Sequence, residues 1–88
     1  MQLKYEASFE KDLKKIQDTN LLKRIKTLIN TIKKSNSTFD IPHIKKLKGH
    51  DSFYRIKMGN YRIGFEIVNE ELILTRVLHR KTIYRYFP

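Results

Sequence analysis

Apolar side chains recur with the spacing of a helix in the first half of this chain and with the spacing of a strand in the second half. This change limits the chain to folds in which helices precede a sheet. Phe9, Leu13 and Ile16 recur at spacings of four and three, which predicts a helix from Ser8, its N-cap, to about residue 17. The polar run Asp18-Thr19-Asn20 then interrupts the pattern and can cap a second helix. That helix has a wide apolar stripe: Leu21, Leu22, Ile25, Leu28, Ile29 and Ile32. The two stretches predict a helical hairpin.

From Ile44 onward the apolar period is two, the repeat of a strand with one buried face. The predicted strands are residues 44–48 leading to 53–58, then 61–68 and 71–78. Gly59-Asn60 and Asn69-Glu70 stand between them as tight hairpin turns, which indicates an antiparallel meander. Residues 2–6 also alternate and predict a short edge strand. A chain of 88 residues supports one core, so we expect a single α+β domain over residues 1–88 with one small sheet.

The alternation also sorts the polar side chains by face. In the strand over residues 53–58, Arg55 and Lys57 fall on the side opposite the apolar residues Tyr54, Ile56 and Met58. In the next strand Arg62 falls opposite its apolar neighbours in the same way. A tight turn at Gly59-Asn60 would therefore bring Arg55, Lys57 and Arg62 together on the sheet face that the helices leave uncovered. Such a face is either a phosphate site or an ordinary solvated surface.

The net charge is the first indication of function. Lys and Arg number 19 against nine Asp and Glu, which gives a net charge of +10 and a pI near 10.0. A surplus of this size favours a polyanion such as RNA through counter-ion release, although it also serves solubility. The positive charge is concentrated late in the chain: no acidic residue follows Glu71, whereas Arg76, Arg80, Lys81 and Arg85 do.

Several classes of protein are disfavoured by what the sequence lacks. Without cysteine it has no disulfide framework and no zinc knuckle, and a reducing compartment fits. The carboxylates are scattered, and His43, His50 and His79 form no recognisable zinc motif, so we expect no metal and no cofactor. Three glycines make no phosphate-binding loop, and no serine lies in an elbow motif. The apolar runs are too short to span a membrane, and we expect a cytoplasmic protein.

The remaining chemistry is that of cations and phenols. RNA is cut without a metal when its own 2′-hydroxyl attacks phosphorus, provided that the protein handles the protons and the phosphorane charge. A phenol, with a pKa of about 10, acts as the base only if guanidinium groups stabilise its anion. A C-terminal helical turn would place Arg80 and Tyr84 on one face. Tyr84 and Tyr86 could also stack on bases, or they could simply anchor the tail together with Ile83 and Phe87.

These stretches together resemble a known family. Lys46-Leu47-Lys48-Gly49, residues 54–63, and Val77-Leu78-His79-Arg80-Lys81 with Tyr84 behind them are similar to the RelE/ParE toxin superfamily, most of all to its archaeal RelE branch. The resemblance spans essentially the whole chain and implies the order of elements predicted above. It also implies a type II toxin that cuts messenger RNA in the ribosomal A site. The implied partner is a RelB-like antitoxin, which wraps the toxin and allows a heterotetramer.

The resemblance assigns roles to residues of this chain. Arg62 would stabilise the phosphorane, Lys57 and Arg55 would hold or activate the phosphate, and Arg80 would assist the leaving group. Tyr84 would be the base, although Tyr86 could take that role. The residues expected to contact RNA are Arg55, Lys46, Lys48, His79, Lys81 and Tyr86.

Three other functions remain open at this point. A ParE-like toxin shares the fold but poisons DNA gyrase, and it lacks the ribonuclease residues, whereas Lys57, Arg62, Arg80 and a nearby tyrosine are present here. A non-catalytic RNA-binding domain would use the cations for affinity alone. An inactive member of the family would have the same sequence pattern.

Overall fold

The computed structural model describes the backbone of residues 1–88 and every side chain except that of Phe39. It has the expected α+β order. The elements are β1 (Gln2–Tyr5), α1 (Ala7–Lys15), α2 (Thr19–Lys34), a 3₁₀ turn (Thr38–Asp40), β2 (Ile44–Lys46), β3 (Phe53–Met58), β4 (Tyr61–Val68), β5 (Glu71–His79) and α3 (Ile83–Tyr86). The helical hairpin and the meander predicted from the two apolar periods are therefore confirmed.

The strands form one five-stranded sheet in the order β1-β5-β4-β3-β2. Strands β2 to β5 are antiparallel neighbours, and β1 lies parallel to β5 at one edge, as the edge prediction required. Both hairpin turns have left-handed backbone, with φ of +58° at Gly59 and of 51° and 65° at Asn69 and Glu70. Positive φ matches the turn to the twist of the strands. The register of β3 to β5 therefore follows from these short turns.

The two helices begin differently. Asp18 caps α2, because its carboxylate accepts hydrogen bonds from the amides of Asn20 and Leu21. The predicted N-cap of α1, Ser8, is wrong: the helix begins at Ala7, and its N-cap is Glu6, two residues before Ser8. The Ser8 hydroxyl instead donates to the Thr75 carbonyl at 2.6 Å. A bulge between β4 and β5 leaves Thr75 with no residue opposite it. The Ser8 hydroxyl therefore supplies the hydrogen-bond donor for the Thr75 carbonyl.

The main core lies between the helices and one face of the sheet. Phe9, Ile25 and Ile32 from the helices pack with Ile63 and Phe65 of β4, and all five are buried. The spacing of apolar residues therefore identified the buried face of each helix correctly.

The sequence predicted that helices leave the opposite sheet face uncovered, but part of this face is covered in the structure. Ile83 and Phe87 are buried, so the C-terminal segment covers part of this face. The Phe87 ring lies over Gly64 and meets the ring of Phe53 edge-on, with centroids 5.6 Å apart. The physical reason is burial: Phe87 is apolar, and Gly64 has no side chain, so the ring can approach the backbone of β4 closely.

We predict that a side chain at Gly64 displaces the tail. A Cβ there would lie 2.6–2.7 Å from three carbons of the Phe87 ring, too close for any contact without movement. Gly64→Ala should lower the free energy of unfolding by about 1–3 kcal/mol, measured by urea denaturation. In a Phe87→Ala background the same change should cost much less. An equal cost in both backgrounds would contradict this packing.

Candidate functional site

Three predicted cations come together on the sheet face opposite the helices. Lys57 pairs directly with Arg62 across β3 and β4, and Arg55 pairs with Gly64 one step along the same face. Directly opposite residues have Cβ atoms about 4.5–5.5 Å apart. We call Arg55, Lys57 and Arg62 the basic cluster.

Arg62 is held in place by the β3–β4 turn. Its Nη1 donates to the Gly59 carbonyl at 2.8 Å and to the Tyr61 carbonyl at 2.9 Å. Both acceptors are neutral, so the guanidinium is oriented without losing its charge. An anion on this face would meet a cation that is already positioned.

The charges of the basic cluster are not neutralised within the described residues. Among them, only Lys4 and Arg76 form ion pairs, with Glu71 and Asp12. Glu66 lies on the same face as the cluster by register, and its carboxylate accepts a hydrogen bond from Ser52 at 3.1 Å. The cluster therefore keeps its positive potential for a ligand.

The neighbouring lysines of β2 belong to different faces. Lys45 pairs with Arg55, whereas Lys46 pairs with Tyr54, whose face is the one covered by helices. Lys46, which was expected to contact RNA, therefore lies on the face opposite Arg55, and Lys45 lies beside Arg55 instead. The cause is the period of two, which separates adjacent residues. Lys48 is exposed in the connection between β2 and β3.

His79 also lies away from the basic cluster. It pairs with Tyr61, on the helix side of the sheet, and the two rings meet edge-on with centroids 5.7 Å apart. Its Nδ1 accepts a hydrogen bond from the backbone amide of Lys81 at 3.2 Å. His79 thus stabilises the turn after β5, in which Lys81 is exposed, and it does not share the face of Arg62.

Arg80 comes to the end of the sheet where Arg62 lies. Its amide donates to the Asn60 carbonyl at 2.7 Å, which extends the β4–β5 pairing into the β3–β4 turn. The helix α3 begins only at Ile83, so Arg80 and Tyr84 do not share a helical face, and that prediction is wrong. The intervening turn is stabilised by Thr82, whose hydroxyl donates to the His79 carbonyl.

The two terminal tyrosines are both 58% exposed, but their surroundings differ. The ring of Tyr86 lies under the Arg76 guanidinium, 5.4 Å from Cζ to the ring centroid. Arg76 in turn donates to Asp12 at 2.8 and 3.0 Å, and the Val77 amide donates to the same carboxylate. The hydrogen bonds to Asp12 raise the pKa of Arg76 above its ordinary value.

The interaction of Asp12, Arg76 and Tyr86 was missed at the level of sequence. It joins α1 to β5 and to the C-terminal segment. A signal was present: Asp12 lies three residues after Phe9 and four before Ile16, so it falls on the buried face of α1. A carboxylate on a buried helix face requires a partner in the fold, and Asp12 is 3% exposed.

The described residues offer neither a cluster of metal ligands nor a membrane-spanning helix. No group of three or more His, Cys, Asp or Glu side chains is placed to hold a metal ion. None of the described helices has the length and apolar character that crossing a membrane requires.

Comparison with known proteins matches residues 3–84 to the family of the ParE toxin of the type II toxin-antitoxin system, parDE. The chain belongs to the RelE/ParE toxin superfamily. Toxin RelE3 of Methanocaldococcus jannaschii is 47% identical over 89 residues, which cover all of both chains. The putative toxin RelE1 of the same organism is 35% identical over 72 residues, which cover 81% of this chain and 79% of the relative.

Solved structures of the superfamily share the fold. The RelB-RelE antitoxin-toxin complex from Methanococcus jannaschii matches with a TM-score of 0.83 and 46% identity, covering 97% of this chain and 99% of the other. The YoeB dimer from Staphylococcus aureus matches with a TM-score of 0.73 at 15% identity, over 91% and 97%. This toxin therefore has the RelE/ParE fold, and it is a toxin of type II toxin-antitoxin systems.

We predict that the buried carboxylate of Asp12 matters more for stability than the exposed N-cap carboxylate of Asp18. Asp12→Ala leaves Arg76 and the Val77 amide without their acceptor and should lower the free energy of unfolding by about 2–4 kcal/mol. The matched control Asp18→Ala removes an exposed N-cap and should cost about 1 kcal/mol. Urea denaturation of both variants measures the difference. Equal losses would mean that Asp12 does not anchor β5.

Proposed function

We propose that this toxin is a metal-independent endoribonuclease that cuts messenger RNA on the ribosome. The observation that carries the proposal is the basic cluster: Lys57 and Arg62 pair directly, Arg55 lies beside them, and no carboxylate pairs with any of them among the described residues. A preorganised set of cations stabilises the charge that builds on the oxygens of a phosphorane. The full-length relative at 47% identity is a RelE toxin.

The reaction needs only the RNA and side chains. The 2′-oxygen forms a bond to phosphorus while the bond from phosphorus to the 5′-oxygen breaks, which leaves a 2′,3′-cyclic phosphate and a 5′-hydroxyl. Tyr84 takes the proton of the 2′-hydroxyl as its oxygen attacks. Arg62 stabilises the phosphorane, and Lys57 and Arg55 hold the phosphate. Arg80 stabilises the departing 5′-oxygen, which is protonated from solvent.

The different surroundings of the two tyrosines support Tyr84 as the base. Residues two apart on a helix point about 200° away from each other, so Tyr84 and Tyr86 lie on opposite flanks of α3. Tyr86 contacts Arg76, whose charge is already paired with Asp12. In this proposal the ring of Tyr86 stacks on an RNA base instead. Lys48 and Lys81, both exposed, add affinity for the backbone.

The proposed partner is a RelB-like antitoxin. The relative with a TM-score of 0.83 forms a complex with RelB, and a chain that covers 99% of that toxin offers an equivalent surface. We propose that such an antitoxin binds this toxin, with a heterotetramer as the assembly. Action on ribosome-bound messenger RNA places the toxin in the cytoplasm.

A gyrase poison is the second candidate, because the matching family model describes a ParE toxin. The two functions separate by target: a gyrase poison inhibits supercoiling and leaves RNA intact. The basic cluster favours RNA, since three cations without a carboxylate partner suit the charge of a phosphate that undergoes substitution. A supercoiling assay beside the cleavage assay below decides between them.

We predict that Arg62→Ala abolishes cleavage. Toeprinting of a translated messenger RNA in a cell-free system should show cuts with the wild-type toxin, and at least about a hundredfold loss of cutting with the variant. Lys34→Ala, which removes an exposed cation from the end of α2, is the matched control and should cut normally. Thermal unfolding checks that the variant is folded. Cleavage within a few fold of the wild type would refute the catalytic assignment.

The register of β2 predicts a contrast between two adjacent lysines. Lys45 shares the face of Arg55 and Lys46 does not, although both are exposed. Lys45→Gln should therefore lower the slope of log K for RNA binding against log salt concentration by about 0.7, the contribution of one phosphate contact. Lys46→Gln should leave that slope unchanged. Fluorescence anisotropy at several salt concentrations measures both. The opposite ranking would mean that RNA does not follow this face.

A further inference from the structure

A cleft between α2 and the end of β3 lies outside the site described so far. Its volume is about 350 Å³, and its lining includes Lys23, Arg24 and Leu28 from α2, His43 before β2, and Ile56 and Met58 of β3. The floor is apolar, and the rim carries cations. Its described lining contains no carboxylate, so it attracts a ligand that has both an apolar face and negative charge.

The cleft is continuous with the basic cluster at the β3–β4 turn. Lys57 lines the cleft beside the His43 carbonyl that its amide contacts, while its pairing with Arg62 places its side chain in the cluster on the other face. The Nη1 of Arg24 lies 3.4 Å from the position that a Cβ on Gly59 would occupy, and the carbonyl of Gly59 accepts the hydrogen bond from Arg62. Arg24 and Arg62 therefore approach the same turn from opposite faces of the sheet.

The backbone at the mouth of the cleft is strained. His43 has a φ of +59°, a left-handed conformation that is uncommon for a residue with a side chain. It is exposed, and its carbonyl accepts a hydrogen bond from the Lys57 amide at 3.4 Å. Strain of this kind persists where the surroundings enforce it and is concentrated at binding sites. It holds the backbone of His43 at the rim of the cleft, beside the Lys57 amide.

We propose that this cleft binds one nucleotide of the RNA next to the phosphate that is cut, a step that rests on the proposed function. The base packs against Pro42 and against the edges of Leu28 and Met58 that line the cleft. Arg24 and Lys23 hold the adjoining phosphate. The RNA thus passes from the basic cluster around the β3–β4 turn onto the helical side of the toxin, and Arg24 determines whether it follows that path.

Size and charge favour a nucleotide over a segment of a partner protein. The volume is at the lower end of small-molecule pockets, about 300–1,000 Å³, and is too small for a helix. The approach of Arg24 to Gly59, whose carbonyl holds Arg62, makes the cleft an extension of a surface already suited to phosphate. An acidic peptide would meet the same cations, and the test below separates the two.

The test compares two cations of one helix. Arg24→Gln and Lys26→Gln remove the same charge from exposed positions on α2, but Lys26 does not line the cleft. The probe is a short fluorescent 2′-O-methyl oligoribonucleotide, which binds but cannot be cut by 2′-attack. Arg24→Gln should weaken binding by about three- to tenfold and lower the salt slope by about 0.7, and Lys26→Gln should leave the slope unchanged.

A second variant tests the cleft itself rather than its charge. The chain has no cysteine, so Thr27→Cys, in the lining, can be blocked uniquely with a bulky maleimide. Blocking the Thr27→Cys variant should weaken binding of the oligonucleotide by a factor similar to that for Arg24→Gln. Blocking the Lys26→Cys variant should leave this binding unchanged. Equal behaviour of the paired variants overturns the proposal.

Two results would separate this inference from the proposed function. Binding effects at Arg24 without any cleavage by the wild type would overturn the nuclease and keep the cleft as an RNA-binding site. Variants at Arg24 that bind the oligonucleotide like their controls, but bind the antitoxin more weakly, would assign the cleft to an acidic protein segment. That outcome overturns the nucleotide proposal.

Discussion

The tight turn at Gly59 and Asn60 fixes the register of β3 against β4, and the cationic site depends on it. A slip of one residue would move every side chain of a strand to the other face and would separate Lys57 from Arg62. The turn also supplies acceptors: the Gly59 carbonyl orients Arg62, and the Asn60 carbonyl receives the amide of Arg80. A short connection with positive φ at Gly59 therefore positions groups from two different strands.

The C-terminal segment is held to the sheet at two further points. Phe87 packs over Gly64, and Tyr86 contacts Arg76, which is anchored by the buried carboxylate of Asp12. These contacts join α3 to α1 through β5. They also determine how the two terminal phenols differ. Tyr86 lies beside the guanidinium of Arg76, which is paired with Asp12, and Tyr84 lies on the opposite flank of the short helix.

Much of this fold could be predicted from the sequence, because the signals were local. The change of apolar period identified the helices and strands, and the dipeptide Gly59-Asn60 identified one hairpin. Together with the alternation along β3 and β4, this was enough to group Arg55, Lys57 and Arg62 on one face. The position of Lys46 could not be predicted in this way. The connection between β2 and β3 is long enough to allow either register, and only the observed pairing with Tyr54 decides the face. The contact of Phe87 with Gly64 joins residues 23 positions apart with no periodic signal.

In the proposed reaction, the basic cluster and a phenol of the C-terminal helix use the RNA's own 2′-hydroxyl to cut the RNA. The most direct test is the chemistry of the new ends, determined by mass spectrometry of the fragments that the wild-type toxin produces on translating ribosomes. This account predicts a 2′,3′-cyclic phosphate, or the 3′-phosphate formed by its hydrolysis, together with a 5′-hydroxyl. Fragments that carry a 3′-hydroxyl and a 5′-phosphate would show that water was the nucleophile and would contradict it.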